Sequence, residues 1–188
     1  MAANKDIRAP SNWPNNLRYI HSSTYHSSVS AEAKNYIKKS TQCRTFPSKF
    51  TAIKKITEPS HPAYNQFGLF ATKKIPTKTH VLDYIGEHCD ERESSNYDLS
   101  LHRFQSGESV GIDSSVTGNE ARFINDYRGV KSKPNAVFID YRTDSGELRM
   151  GIWASGEDIR KGDEILVSYG KAWWKARAEE QEMGREVL

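Results

Sequence analysis

The sequence predicts a mainly β domain built of several small sheets, with a short helix towards each end of the chain. The first observation is a series of short segments that look like strands, the first two with alternation and the third rich in β-branched and aromatic residues. These segments cover residues 50–56, 67–75, 79–87, 109–115, 135–142, 149–155 and 164–170. The second observation is that turn signals separate several of these segments, at 106–107, 144–146 and 160–163. The third observation is that long helices do not alternate with the strands, which argues against a doubly wound α/β fold.

The N-terminal region precedes this series of strands. Residues 1–29 are rich in Ser, Asn, Pro and Tyr and lack a sustained hydrophobic period, which predicts a loop or a partly disordered segment. A short helix is predicted from Ser30, whose hydroxyl can cap its first turn. Ala33, Tyr36 and Ile37 would then share one face of that helix.

The charge of the chain is unevenly distributed. Residues 1–48 carry seven Lys or Arg side chains against two carboxylates, a net charge of +5, whereas the whole chain is at +3 and the remainder is therefore at −2. One interpretation is a basic arm that contacts DNA or a nucleosome, and the other is a solvated basic tail. The sequence leaves open whether this extension folds onto the domain.

Several classes of protein and site are disfavoured. No apolar run approaches the roughly 18 residues that a membrane span requires, and the N-terminus lacks the apolar core of a signal peptide. Cys43 and Cys89 cannot form a disulfide framework or a four-thiolate zinc site, and the six histidines lack metal-ligand spacing. We therefore expect no metal site, no membrane contact and a reducing compartment. No GxGxxG or GxxxxGK[ST] phosphate loop is present.

The stretch "GNEARFINDYRG", residues 118–129, fits neither a helical nor a strand period. It combines Gly, Asn and Asp, which favour turns and side-chain to backbone hydrogen bonds, with an apolar Phe-Ile pair. A polar cluster around an apolar pair predicts a segment shaped to hold a ligand.

Four motifs in order resemble the SET domain of protein lysine methyltransferases. They are "FGLFATKKI" (67–75), "DYIGE" (83–87), "GNEARFIN" (118–125) with "PN" at 134–135, and "ILVSYGKAWW" (165–174). The resemblance runs from about Lys49 to Trp174. It implies a SET domain over 49–170 and a knot-like crossing of the "RFIN" segment with the segment before the C-terminal tyrosine.

The resemblance implies that S-adenosyl-L-methionine is the cofactor. Asn125 would bind its methionine end, Arg122 and Phe123 would support the pocket wall, and Asn119 would fix the crossing beside the cofactor. Such a ligand carries an ammonium, a carboxylate and an adenine, and its site needs rigidly held amides and backbone groups. The alternative for Phe123 is core packing alone.

Two segments of the predicted cofactor site depart from the family pattern. "NQFGLFA" matches the family's glycine-rich turn, so that Gly68, Leu69 and Phe70 are expected at the cofactor, but Gln66 stands where a second glycine is common. A residue without Cβ permits close approach of the backbone to a ligand. Asp126 stands where many members have His and is also expected at the cofactor.

Tyr169 and Tyr97 match two tyrosines of the family. Tyr169 corresponds to the catalytic tyrosine and would also touch the cofactor, and Tyr97 corresponds to a tyrosine that lines the lysine channel. The alternative for Tyr97 is an ordinary strand residue. Phe138 and Val167 are candidates for the channel wall, and a Phe at that position favours di- or trimethylation.

The C-terminal segment, residues 171–188, is predicted to be a charged helix led by Trp173 and Trp174. In the family an aromatic residue after the SET domain stacks on the adenine. The resemblance therefore implies that these tryptophans contact the cofactor, in place of the zinc module that many members carry here.

The function implied is an S-adenosylmethionine-dependent protein lysine N-methyltransferase that acts on a histone tail in the nucleus. Two alternatives remain open. The first is an inactive SET-like module that binds chromatin or another partner, and the second is a methyltransferase of a non-histone protein, with the cytoplasm as the other compartment. The oligomeric state is not specified by the sequence.

Overall fold

The computed structural model of this 188-residue chain describes residues 8–38, 45, 47–90, 95–171 and 173–175. Short strands dominate it. In chain order they are β1 Arg18–Tyr19, β2 Thr24–Tyr25, β3 Thr51–Lys55, β4 Phe67–Ala71, β5 His80–Asp83, β6 Glu87–Asp90, β7 Asp98–Arg103, β8 Ser109–Asp113, β9 Thr117–Gly118, β10 Asn125–Asp126, β11 Ala136–Arg142, β12 Leu148–Ala154 and β13 Leu166–Val167. The helix α1 spans Ala31–Lys38, and a 3₁₀ helix spans Glu120–Phe123.

The strands form small separate sheets, which confirms the prediction of a mainly β fold. One sheet has four strands in the order β2-β6-β8-β7, and another has three in the order β11-β12-β5. Three two-stranded sheets are formed by β3 with β4, by β1 with β9 and by β10 with β13. Each predicted segment overlaps a strand, and the additional strands are β1, β2, β6, β7, β9 and β10.

The alternating strands enclose one hydrophobic core. Ile53, Leu69, Ile112, Ile152 and Ile165 come from five different strands or their ends, and each is at most 2% exposed. Alternation delivers these side chains to a common side because successive strand residues point to opposite faces. The functional residues described below lie at the edge of this core.

The N-terminal region packs against the same core. The predicted helix is present, and Ser30 caps it, with the backbone N–H of Ala33 donating to Ser30 Oγ at 3.0 Å. Ala33 and Ile37 are fully buried, but Tyr36 is 38% exposed and stacks on His102. In place of the loop expected over residues 1–29, β1 and β2 pair in parallel with β9 and β6.

The C-terminal helix predicted over 171–188 lies largely outside the described residues, as does Cys43. Cys89 is buried. In the described part of the chain, no helix has the length and apolar character to cross a membrane. Nor does any group of three or more His, Cys, Asp and Glu residues there have a metal-binding arrangement.

Candidate active site

The site begins where two distant chain segments run side by side. β10 and β13 pair in parallel, with Asn125 opposite Leu166 and Asp126 opposite Val167. Asn135 stabilises the segment that carries β13. Its Nδ2 donates to the carbonyl of Glu164 and its Oδ1 accepts from the N–H of Leu166, both at 2.8 Å. This crossing brings the "RFIN" segment beside the segment that precedes Tyr169.

Asn119 ties a third segment to the crossing. Its Nδ2 donates to the carbonyl of Asp83 at 2.8 Å, and its Oδ1 accepts from the N–H of Ile85 at 3.2 Å. The side chain is only 3% exposed and lies outside the lining of the cavities described below. Both the nitrogen and the oxygen of this amide therefore bind backbone groups. This agrees with the role expected for Asn119 in fixing the crossing, and it leaves neither atom directed at a cavity.

A wide cavity of about 760 Å³ opens beside the crossing. Most side chains that the sequence assigned to the cofactor line it. They are Arg122, Phe123, Asn125, Asp126, Tyr169, Trp173 and Trp174, and Tyr97 joins them. The residues are separated in sequence, and they converge because β10, which follows the 3₁₀ helix, pairs with β13 and so lies beside the segment that follows β13.

The strand β4 contributes to the cavity differently from the prediction. Gln66 and Phe67 line the cavity, whereas Leu69 is fully buried in the core and Phe70 lies outside the lining. The space in front of Gly68 is filled by a carboxylate, since a Cβ there would lie 2.5 Å from Glu164 Oε1. The absence of a Cβ at this position therefore makes room for Glu164.

Asp126 joins the crossing to the C-terminal aromatic residues. Its carboxylate accepts hydrogen bonds from the backbone N–H of Tyr169 at 2.8 Å, from Trp174 Nε1 at 3.2 Å and from Arg128, whose Nη1 lies 2.9 Å from Oδ2. Burial alone would raise the pKa of Asp126, but these hydrogen bonds outweigh it and hold the pKa below its ordinary value. The Asp that replaces the family's His therefore anchors this segment as a carboxylate.

The aromatic rings of the C-terminal segment pack edge to face. The Trp173 ring lies 4.9 Å from that of Tyr169 and 5.1 Å from that of Trp174. The Arg128 guanidinium lies 5.4 Å from the Trp174 ring centroid. Both tryptophans face the wide cavity in this arrangement.

A narrow cavity of about 80 Å³ adjoins the wide one. Its apolar walls come from Tyr84, Leu99, Ile124 and Phe138. The Phe138 ring meets that of Tyr84 edge to face, with centroids 6.0 Å apart. Val167, the other predicted channel residue, is fully buried in the core and does not line the cavity.

The two cavities share Asn96, Tyr97, Arg122, Tyr169 and Trp173. Arg122 immobilises the Tyr97 side of this shared wall. Its Nε donates to the carbonyl of Ser114 at 2.9 Å, and its guanidinium lies 4.2 Å from the Tyr97 ring centroid. Tyr97 is thereby held at the junction, although it remains 36% exposed.

The hydroxyl of Tyr169 also lies at the junction. It donates a hydrogen bond of 2.7 Å to the carbonyl of Ile124. Burial raises the pKa of the phenol above its ordinary value, and Tyr84 and Asp126 add to the shift. Burial likewise raises the pKa of Tyr84, whose hydroxyl donates to the carbonyl of Tyr97 at 2.8 Å. Both phenols are therefore neutral near pH 7.

The N-terminal region supplies a wall that the sequence did not predict. Pro14, Asn16 and Leu17 line the wide cavity. Trp13 packs edge to face against Phe123 at 5.5 Å, which fixes this segment on the 3₁₀ helix. A non-periodic segment rich in Asn and Pro carries no sequence signal for such a role.

A buried carboxylate supports that wall. Glu120 is only 3% exposed, and its Oε2 accepts from the hydroxyl of Tyr19 at 3.1 Å, while its Oε1 accepts from the N–H of Ser48 at 3.3 Å. Burial raises the pKa of Glu120 and outweighs these hydrogen bonds. The N-terminal strand is therefore attached to the 3₁₀ helix through this side chain.

A second unpredicted pair, His61 and Glu164, lies behind Asn125. His61 lines the wide cavity, and its Nε2 lies 2.9 Å from Glu164 Oε2. The two residues are about 100 positions apart in sequence, so no local motif connects them.

Residues 66–170 match the SET domain family, over more than half of the chain. The chain belongs to the SET domain family. The match spans β4 to the residue after Tyr169 and so contains both the crossing and the junction of the two cavities. The SET fold predicted from the four motifs is thereby confirmed.

Curated proteins similar to this SET domain are histone-lysine N-methyltransferases of yeasts. An H3 lysine-4-specific enzyme of Schizosaccharomyces pombe is 32% identical over 110 residues, which are 54% of this chain and 11% of that protein. An H3 lysine-36-specific enzyme of Debaryomyces hansenii is 32% identical over 111 residues, which are 55% of this chain and 14% of that protein. The chain thus matches only a small part of the length of these relatives.

Solved SET domain structures share the fold at lower sequence identity. ATXR5 in complex with a mono-methylated histone H3.1 superposes with a TM-score of 0.59 at 18% identity, covering 82% of this chain and 81% of that one. A humanized Polycomb Repressive Complex 2 of Chaetomium thermophilum bound to an inhibitor gives 0.52 at 23% identity, covering 65% of this chain and 15% of that one.

Proposed function

We propose that this SET domain is an S-adenosylmethionine-dependent protein lysine N-methyltransferase that acts on a histone tail in the nucleus. The observation that carries the proposal is the junction of the two cavities at Tyr97 and Tyr169. A cofactor in the wide cavity and a lysine side chain in the narrow one would meet there. Such a meeting point is what direct transfer of a methyl group requires.

The wide cavity suits the cofactor in size and chemistry. Its volume of about 760 Å³ lies within the roughly 300–1,000 Å³ of small-molecule sites. Phe67, Trp173 and Trp174 offer aromatic surface for an adenine, and the amides of Asn16 and Asn125 offer polar contacts. When bound, the cofactor would supply a methyl group on a positively charged sulfur.

The narrow cavity suits a neutral amine. Its lining combines Tyr84, Leu99, Ile124 and Phe138 with the polar side chains of Asn96, Asp98, Arg122 and Ser168. A lysine that enters against the apolar part loses hydration, which lowers the pKa of its ammonium, and a nearby sulfonium charge lowers it further. The Tyr169 hydroxyl proton is engaged by Ile124, which leaves the lone pairs of the phenol oxygen to face the transferring group. These residues would align the amine and exclude water.

The histone assignment rests on relatives. The two yeast proteins are named for H3 lysine 4 and H3 lysine 36, and ATXR5 was solved with a histone H3.1. The basic N-terminal region, with a net charge of +5 over residues 1–48, would complement the DNA of a nucleosome.

The test is transfer of labelled methyl from S-adenosylmethionine to histones and nucleosomes by wild type and Tyr169→Phe. Label on one histone that falls at least about 100-fold in the variant is expected. Tyr36→Phe is the matched control, because Tyr36 lies on α1 and is 38% exposed. Label on a lysate protein alone would replace the histone by another substrate. Cofactor or histone binding without any transfer would favour the inactive module.

A further inference from the structure

A chain of hydrogen bonds runs from His61 to the wall of the wide cavity. The N–H of Ala63 donates to His61 Nδ1 at 3.0 Å. A backbone N–H can only donate, so Nδ1 is the unprotonated nitrogen and Nε2 carries the proton of the ring. Nε2–H therefore donates to Glu164 Oε2 at 2.9 Å.

Glu164 stands in the middle of this chain. Its side chain is 6% exposed, and its two oxygens accept from different partners, Oε2 from His61 and Oε1 from Asn125 Nδ2 at 2.8 Å. Room for the carboxylate exists only because Gly68 has no Cβ. A buried carboxylate is costly unless hydrogen bonds satisfy it, and both oxygens here are satisfied.

Asn125 ends the chain at the cavity. Its Nδ2 also donates to the carbonyl of Phe67 at 3.2 Å. A carbonyl oxygen can only accept, so the amide nitrogen must face Phe67 and Glu164, and its two protons are both used. Among the described residues no hydrogen bond engages Asn125 Oδ1, and Asn125 lines the wide cavity.

We propose that His61 and Glu164 are positioning residues that fix Asn125 with its Oδ1 towards the cavity as an acceptor for the ammonium of the cofactor's methionine end. This inference rests on the proposed function. Without the pair, the Asn125 amide would be held by the Phe67 carbonyl alone, at 3.2 Å, and could turn more readily to present its NH₂ group, which cannot accept from an ammonium. The carboxylate also polarises the amide, since linked hydrogen bonds strengthen one another in a low-dielectric site. Its negative charge favours a cation nearby.

The test compares three probes that share the adenosine part. S-adenosylmethionine and S-adenosylhomocysteine both carry the amino-acid end, and 5′-methylthioadenosine lacks it. Dissociation constants are measured by equilibrium dialysis or competition for wild type, His61→Ala, His61→Gln and Glu164→Gln. We expect His61→Ala and Glu164→Gln to raise the dissociation constants of the first two probes roughly tenfold, which corresponds to about 1.4 kcal/mol. The dissociation constant of 5′-methylthioadenosine should change less than about twofold.

His61→Gln provides the conservative rescue, because its amide NH₂ can still donate to Glu164, and its affinities should stay close to wild type. His26→Ala is the matched control, since the His26 ring is half-buried, lies outside the lining of both cavities and hydrogen-bonds within its own turn, to Ser28. In turnover, KM for S-adenosylmethionine should rise in His61→Ala while kcat holds, because this contact is remote from the transferring methyl.

The possible outcomes are separable. If the affinities for all three probes fell equally, the pair would only maintain the fold, and the positioning role would be overturned. Unchanged affinities in His61→Ala and Glu164→Gln would overturn it too, while leaving the proposed function intact. A wild type that binds neither S-adenosylmethionine nor S-adenosylhomocysteine would overturn the proposed function and this proposal with it.

Discussion

The hydroxyl of Tyr169 donates a 2.7 Å hydrogen bond to the carbonyl of Ile124, across the crossing of the two chain segments. Because burial raises the pKa of this phenol above its ordinary value, it stays neutral across the usual assay range. Methyl transfer should therefore rise with pH as the substrate lysine loses its proton and then reach a plateau. No descending limb from Tyr169 is expected up to about pH 9.5.

The measurement is a single-turnover pH–rate profile between about pH 6.5 and pH 9.5, with circular dichroism to confirm that the fold persists. If the rate of wild type fell at high pH and the residual rate of Tyr169→Phe did not, the phenol of Tyr169 would not be neutral over this range.

The carboxylate of Asp126 should stabilise the site through its bonds to Tyr169, Arg128 and Trp174. In Asp126→Asn one acceptor oxygen becomes a donor, so we expect a loss of roughly 1–3 kcal/mol in the free energy of unfolding at neutral pH. The folded-state pKa is lowered, so this stability is present above the ordinary carboxyl pKa of about 3.9 and is lost as the pH falls through the folded value.

Denaturant unfolding of wild type and Asp126→Asn at pH 7 and at pH 3 checks both statements. Asp163→Asn is the control, because Asp163 is 34% exposed in a surface pair with Lys131 and should change stability by less than about 0.5 kcal/mol. If the difference in unfolding free energy between wild type and Asp126→Asn were larger at pH 3 than at pH 7, the Asp126 pKa would not be lowered by folding.

Glu120 should have the opposite pH dependence. Its folded-state pKa is raised, so its contribution to stability is greatest below the ordinary carboxyl pKa of about 4.3 and declines as the pH rises through the folded value. Glu120→Gln removes this titration. The stability of the variant relative to wild type should therefore improve from about pH 4 to pH 7, as measured by denaturant unfolding at several pH values. A relative stability independent of pH would refute the raised pKa.

Phe138 should influence how many methyl groups are added. It lines the narrow cavity beside Tyr84, and a hydroxyl there would occupy space and bind the amine or a water. Wild type is expected to give di- or trimethyl-lysine under excess cofactor, and Phe138→Tyr to stop at a lower state. Mass spectrometry of the products decides this. Val137→Thr, at the exposed neighbouring position of β11, should leave the product unchanged.

Gly68 should tolerate no side chain while Glu164 is present. An added Cβ would lie 2.5 Å from Glu164 Oε1, so Gly68→Ala forces the carboxylate to move and should cost roughly 1–3 kcal/mol in unfolding free energy. The same change should cost less in a Glu164→Ala background. A double-mutant cycle measures that difference, and strict additivity would show that the two residues do not compete for the same space.

Some features of the fold were readable because they are local. Each of the predicted segments overlaps a strand, and Ser30 caps α1 as expected. Tyr36 was predicted to share one face of α1 with Ala33 and Ile37, and it stacks on His102 at 38% exposure while those two are fully buried, because helical spacing locates a face and not the depth to which that face is covered.

Other features depend on distant pairing and left no local signal. β1 and β2 are only two residues long and pair with strands far along the chain. The wall at Pro14 and the partners His61 and Glu164 were missed for the same reason. Within β4, the motif identified the right segment. Phe67 and Leu69 share one face of this strand, but Leu69 lies deep in the core, whereas Phe67, at the start of the strand, reaches the cavity.

The N-terminal wall has a consequence for synthesis of the protein. Arg18 and Tyr19 leave the ribosome before their partners Thr117 and Gly118, which follow about 100 positions later. At roughly 5–20 residues per second, this interval lasts about 5–20 s. Trp13 and Tyr19 have no Phe123 or Glu120 to pack against in that time. Nascent chains are thus most open to chaperones, and to aggregation, before residue 124 emerges.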